Sequence, residues 1–195
     1  MIRALHRLEC AGETMRNALN SLAVSAPDWL HRLSPPEWLE RYGRRFDDYR
    51  LPKGKDGRQA YAEQIGADGH ALLDAIYAPE TEAWLRQIPA LEIMRQVWVQ
   101  QFYRSEGDIH WRTEAEGVPP SALFIASPYD PEAHLAKKRS ISWIGYKVHL
   151  TESCEDDQPH LITHVETTAA PVADSDALEP IHDALAADNL LPAVH

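Results

Sequence analysis

Between residues 127 and 188 the sequence alternates polar and apolar residues twice and then turns helical. That order ties this part of the chain to a sheet with a helix packed on it. From Ile141 to Leu150, the residues Ile144, Tyr146, Val148 and Leu150 fall on one face, with Ser142 as the polar member of that set. Trp143, Gly145, Lys147 and His149 take the other face, and this two-residue period predicts a strand buried on its apolar side. Leu161 to Thr168 predicts a second strand, with Leu161, Thr163, Val165 and Thr167 opposite His160, Ile162, His164 and Glu166. The acidic stretch Glu152 to Pro159 between them suits a hairpin connection longer than a tight turn. Asp174 is the expected N-cap of a helix carrying Ala177, Leu178, Ile181, Leu185 and Ala186 at helical spacing. A hairpin and one helix leave edges unpaired, so Leu190 to Val194 reads as the approach to a further strand expected just after His195.

The first hundred residues have the helical period instead. Leu5, Leu8, Met15, Leu19, Leu22 and Val24 predict a helix from Ile2 to Ala26, weakened by Gly12 and ended by Ala26-Pro27. Ser34-Pro35-Pro36-Glu37 predicts a second start, with Ser34 as N-cap and Glu37 closing a capping box. That helix carries Trp38, Leu39, Tyr42 and Phe46 to about Arg50. Residues 51–57 (LPKGKDG) form a turn-rich connector and a candidate hinge. Arg58 to Ala78 is helical again, with Tyr61, Ile65, Leu72, Leu73 and Ile76 on its apolar face and with Gly66 and Gly69 as points that split it. Pro79 and Thr81 restart a helix that Pro89 interrupts. Ala90 to Ser105 then turns Leu91, Met94, Val97, Trp98 and Phe102 inward. Residues 107–121 read as loop, with a short strand at Ile109-His110-Trp111. The expected layout is a helical region over 1–107, a linker over 108–126 and a sheet-forming region over 127–195.

No apolar run approaches the ~18–20 residues that a membrane helix needs, and Arg7, Glu9, Glu13 and Arg16 interrupt any signal-peptide pattern. Cys10 and Cys154 have no metal-type spacing and suit reduced thiols, so a cytoplasmic protein is expected. The net charge of -11 speaks against a simple nucleic-acid binder, but it is unevenly spread. Residues 1–58 hold 11 lysines and arginines against 8 acidic residues, whereas residues 59–195 hold 8 against 22. Any DNA contact therefore needs local basic patches.

Two such patches stand out. Lys137-Lys138-Arg139, with Lys147 and Trp143 sharing a face of the next strand, has the residue types that track a phosphate backbone. Its plainer reading is an edge strand that lysines protect from sheet-to-sheet pairing. The other patch is Arg41, Arg44, Arg45, Arg50, Lys53, Lys55 and Arg58, interleaved with Tyr42, Phe46 and Tyr49 and diluted by Asp47 and Asp48. The carboxylates Asp130, Glu166, Asp174 and Asp176 read better as turn, strand and cap residues than as catalytic acids. His160 and His164 share a strand face but lie ~13 Å apart at ~3.3 Å per residue, too far to hold one zinc. Cys154 has no fixed basic neighbour in sequence to activate it. No residue is assigned as catalytic or as a metal ligand.

The run SPYDPEAHLAKKRSISWIGYKVHLTE, followed by PHLITHVETTAAPVADSDALEPIHDAL, resembles the central region of bacterial insertion-sequence transposases of the DDE type. The similarity extends back through RLECAGETMRNALNSLA, PPEWLERYGRRFDDYRLPKGK and EQIGADGHALLDAIYAP and so covers nearly the whole chain. The resemblance implies an α+β fold in which a helical insertion is followed by a partial RNase H-like β-β-α unit. In that family three carboxylates hold two Mg²⁺ ions for in-line attack on a phosphodiester. By the resemblance, the first acid lies just upstream of residues matching Ile2 to Leu8, the second just past His195, and the third much later. The expectation is therefore an internal fragment without catalytic acids of its own, inactive alone and needing no Mg²⁺ itself. The implied partners are DNA at insertion-sequence ends and a full-length transposase, with no membrane. The alternative is a non-enzymatic module that binds DNA or transposase and regulates transposition. Lys137, Lys138, Arg139, Lys147, Arg44 and Arg45 are the DNA-contact candidates in either case.

Overall fold

The computed structural model describes residues 7–120, 122–154 and 159–191 and has a mixed α+β fold. The described residues belong to two compact units, one within Ala4–Pro131 and one within Glu132–His195. The stretch 108–126, expected as a linker, is part of the helical unit: it contributes a strand, and Ile125 is buried in that unit's core.

In the helical unit, α1 (Arg7–Ser25), α4 (Lys55–Tyr77) and α5 (Pro89–Gln101) pack around Met15, Leu22, Ile65, Leu72, Met94, Val97 and Trp98. Two short helices, α2 (Pro27–Leu33) and α3 (Pro36–Tyr42), join α1 to the connector before α4. Helix α2 was not expected: Pro27 ends α1 and also opens α2, since its fixed φ suits a first helical position. Ser34 does not cap α3. Its Oγ donates to the Leu30 carbonyl at 2.9 Å, so it closes α2, and Pro35 occupies the N-cap position of α3. A capping box does exist, but at Thr113 and Glu116, where the Thr113 N–H donates to Glu116 at 2.8 Å. Helix α3 stops at Tyr42, and Tyr42 and Phe46 are buried while Leu39 stays exposed. The residues expected before Arg7 in the first helix lie outside the described residues.

Gly66 and Gly69 do not split α4, which runs unbroken; they let α5 approach it, as Trp98 donates from Nε1 to the Gly66 carbonyl at 3.0 Å. After Gln101 the helical pattern gives way to strand. Strand β1 (Phe102–Ser105) pairs antiparallel with β2 (Asp108–Trp111). The two-residue loop Glu106-Gly107 has positive φ at both positions (54° and 95°), the geometry of a type I′ hairpin. Phe102 is 2% exposed and stacks edge-on against Trp111 with ring centroids 5.0 Å apart, so the hairpin covers the core instead of bridging domains.

The second unit is a three-stranded antiparallel sheet of order β3-β4-β5: β3 (His134–Lys138), β4 (Ile141–Glu152) and β5 (Ile162–Ala169). Helix α6 (Leu178–Ala187) contributes Ile181 and Leu185 to a small cluster with Ala177. Both predicted strands and the helix are present, and the register shifts near Thr151 and Glu152. Residues 155–158 of the connecting loop, and 192–194 of the strand approach expected at Leu190 to Val194, lie outside the described residues.

The buried face of β4 is the reverse of the expected one. Val148 is 61% and Leu150 59% exposed, whereas Gly145 is buried and Trp143, Lys147 and His149 are half-buried. The segment after β5 decides this. Ala170 donates its N–H to the Gly145 carbonyl at 3.0 Å, and Lys147 Nζ donates to the Val172 carbonyl at 2.6 Å, which draws that segment over the lysine-bearing face. Alternation fixes which residues share a face, and the connection chooses which face is covered. Val148→Thr is accordingly expected to change unfolding free energy by no more than about 0.5 kcal/mol. A loss above about 1.5 kcal/mol in urea denaturation would place Val148 in a core after all.

Candidate nucleic-acid interface

The structure divides the six candidate cations between the two units. In the sheet unit, strand alternation separates the lysines. Lys137 pairs in register with Ser142 on the Leu135 side, while Lys138 lies on the Ala136 side opposite Ile141. Arg139 sits in the β3–β4 turn with φ 57° and is exposed. Lys138 and Lys147 converge on Asp174, with Nζ to carboxylate distances of 3.4 and 3.0 Å. The Lys147 hydrogen bond, with the Lys138 charge, holds the Asp174 carboxyl below its ordinary range. Asp174 opens a short 3₁₀ turn whose N-cap is Ala173, so its carboxylate binds lysines instead of capping the helix. Trp143 does share a cavity of about 360 Å³ with Lys147 and Lys138. Two of the four basic groups in this unit are thus partly neutralised, and a third faces the other side.

In the helical unit the arginines are gathered more closely. Where α3 ends, the chain runs through Gly43 to Phe46, and the buried Phe46 ring anchors it. The Phe46 N–H donates to Glu13 of α1 at 2.6 Å, and Glu13, 3% exposed, also accepts from the Tyr129 hydroxyl. This fixed corner places Arg44, Arg45 and Arg50 around a cavity of about 250 Å³ shared with Arg41, Tyr61 and Asp47. Arg44 and Arg45 are exposed and form no hydrogen bond or ion pair among the described residues. Arg41 is different: it is ion-paired to Asp68 of α4, which also accepts from Tyr42 Oη at 2.6 Å and from Gln64 Nε2 at 3.1 Å. That neutralisation joins residues 27 positions apart, and nothing in the local pattern announces it. Tyr61, read from the sequence as a core residue of α4, is half-buried and forms one wall of the cavity.

The local acids have structural partners. Glu166 accepts from the Thr167 N–H at 3.1 Å and lies 3.6 Å from His164, and Asp176 accepts from Ser175 Oγ at 3.4 Å. His149 contacts Thr168 Oγ1 at 3.0 Å, and His160 lies 3.5 Å from Glu152. Among the described residues no three carboxylate, imidazole or thiol side chains converge, so these residues do not fit the two-Mg²⁺ arrangement and no step is derived through it. Cys10 is buried and its thiol is pushed up to about 12 by burial, which leaves it a packing residue. No described helix is long and apolar enough to cross a membrane. Comparison with protein-family models, curated proteins and solved structures gives no match.

Proposed function

We propose that this protein binds DNA through the phosphate backbone, in the setting of DNA transposition to which the sequence resemblance points. The supporting observation is the open group of Arg44, Arg45 and Arg50 on a fixed corner, where these three arginines and the ion-paired Arg41 outnumber the two carboxylates of the cavity, Glu40 and Asp47. Guanidinium forks pair with phosphate oxygens in bidentate fashion, and each contact releases counterions from the duplex. Such contacts position a protein on DNA without reading its sequence. The chain's own residues do this holding step, and cutting and rejoining at insertion-sequence ends is the reaction of the transposase type that it resembles. The sheet unit is the weaker contributor, because Asp174 already offsets Lys138 and Lys147.

Fluorescence anisotropy of a short labelled duplex across a salt series tests this. Arg44→Gln/Arg45→Gln is expected to weaken binding and to lower the slope of log K against log salt by about 2. Lys138→Gln is expected to lower it by less than about 1. A flat salt response of the unaltered protein, or a slope that the arginine pair does not move, overturns the reading.

A further inference from the structure

A second basic cavity, of about 340 Å³, opens at the first turns of α4 on the helical unit. Arg7 from α1, Lys55 and Arg58 from α4 and Arg112 from the end of β2 line it, with Trp111 on the wall. Glu114 is the one carboxylate among the lining residues, and of the four cations Arg58 is engaged at the cavity's edge, where its Nε donates to the Pro52 carbonyl at 3.1 Å. Arg7 and Arg112 are 105 positions apart in sequence, and no local motif marks either.

Both guanidinium groups are fixed without losing their charge. Arg7 Nε donates to Gln101 Oε1 at 2.8 Å and its Nη2 to the Arg112 carbonyl at 3.0 Å, with Cζ 4.5 Å from the centre of the Trp111 ring. Arg112 donates from Nε to the Phe102 carbonyl at 3.0 Å and from Nη1 to the Glu116 carbonyl at 3.3 Å. Their acceptors are all neutral oxygens, and neither forms an ion pair among the described residues. The nearby Glu116 carboxylate is taken by the Thr113 N–H and hydroxyl. Arg7 is half-buried and its pKa is pushed below the ordinary arginine value by loss of hydration. Arg7 is preorganised, partly desolvated and held by neutral oxygens alone, and Arg112, whose charge also acts on the Glu116 carboxylate, lies beside it; such a cation is the electrostatic condition for anion capture.

We propose that this cavity is a binding site for the phosphoryl group of a phosphate ester. Its forks and the Lys55 ammonium converge from three elements, which suits an anion with several equivalent acceptor oxygens better than a planar carboxylate. The volume lies at the lower end of small-ligand sites, ~300–1,000 Å³, and admits the phosphoryl group with the sugar next to it. The same chemistry is offered by a free nucleotide and by a stretch of DNA backbone. The inference does not depend on the Arg44–Arg45 contact.

The test uses the full chain, with AMP and inorganic phosphate titrated by calorimetry and a short duplex without terminal phosphates followed by anisotropy. Lys55 is exposed, so Lys55→Gln and Lys55→Glu leave the fold intact. Affinity is expected to fall in the order Lys, Gln, Glu, with about tenfold between the first and last, as one reversed charge at contact range implies. Loss for AMP and phosphate identifies a free phosphate ester, and loss for the duplex alone identifies backbone phosphate. In the unaltered protein the Trp111 indole and Arg7 Nε–H resonances are expected to shift on addition of the ligand that binds. The proposal falls if none of the three probes moves those resonances, or if Lys55→Glu binds all three as tightly as the unaltered chain. Duplex binding that is lost in Arg44→Gln/Arg45→Gln, with AMP, phosphate and duplex binding all unchanged in Lys55→Glu, removes this site while the DNA reading stands. AMP binding that Lys55→Glu weakens, with no duplex binding at all, does the reverse.

Discussion

Gly69→Ala is expected to destabilise the helical unit by about 3 kcal/mol, although alanine is the better helix former by about 1 kcal/mol. A Cβ at residue 69 would overlap the Cε2, Cζ2 and Nε1 atoms of the Trp98 indole. That ring has nowhere to go. Trp98 is 1% exposed, its Nε1 is held by the Gly66 carbonyl, and the Phe102 ring lies behind it with centroids 5.2 Å apart. Phe102 is itself pressed against Gly66, where another Cβ would meet the same ring. Overpacking of this kind costs about 1–3 kcal/mol and occasionally more, and a displaced indole also loses a buried hydrogen bond worth about 1 kcal/mol. Urea denaturation is expected to show a lower midpoint at unchanged slope. Gly57→Ala is the control: its Cβ meets only Pro52, at 3.3 Å, and its effect is expected to stay within about 0.5 kcal/mol. Equal stability of the Gly69→Ala and unaltered proteins would mean that α4 and α5 do not pack as described.

The same two glycines show how far the sequence can be read. Periodicity located α1, α4, α5, β4, β5 and α6, because each has enough apolar residues at one spacing to name its own type. It read Gly66 and Gly69 as breaks because a missing side chain costs helix propensity, and propensity is a local quantity. The reason for their presence is the shape of Trp98, about thirty residues away, which no local window contains. The β4 face was misassigned for a related reason. Alternation sorted Trp143 and Lys147 from Val148 and Leu150 correctly, but the covered side was settled by Ala170 and Val172 folding back. The α5-to-β1 switch at Phe102 was hidden because Phe102 continues the inward stripe of Trp98 while already extended. At the candidate site, the arginine cluster was legible as composition, and its division into neutralised Arg41 and open Arg44 and Arg45 was not. Ion pairing between helices is a tertiary fact.

That division leads to an expectation in which stability and binding move in opposite directions. Asp68 is 9% exposed and serves both Arg41 and the hydroxyl of Tyr42, which is 3% exposed. Asp68→Ala leaves a half-buried guanidinium and a buried phenol without their acceptor, and breaking a buried pair in this way costs about 3–5 kcal/mol. Burial and the Asp68 charge together push the Tyr42 pKa up, so the phenol remains a donor and cannot relieve the loss by ionising. Asp68→Asn keeps a carbonyl oxygen for Tyr42 and removes only the counter-charge, with an expected cost of about 2 kcal/mol. In that variant Arg41 returns a full positive charge to the cavity that it shares with Arg44, Arg45 and Arg50. Duplex binding is then expected to tighten, and its salt slope to steepen by about 1, the signature of one more phosphate contact. A less stable protein that binds DNA more tightly follows if Asp68 restrains this surface while holding α3 to α4. If Asp68→Asn loses stability and leaves the slope unchanged, the Arg41 side of the cavity does not face DNA, and the contact narrows to Arg44 and Arg45.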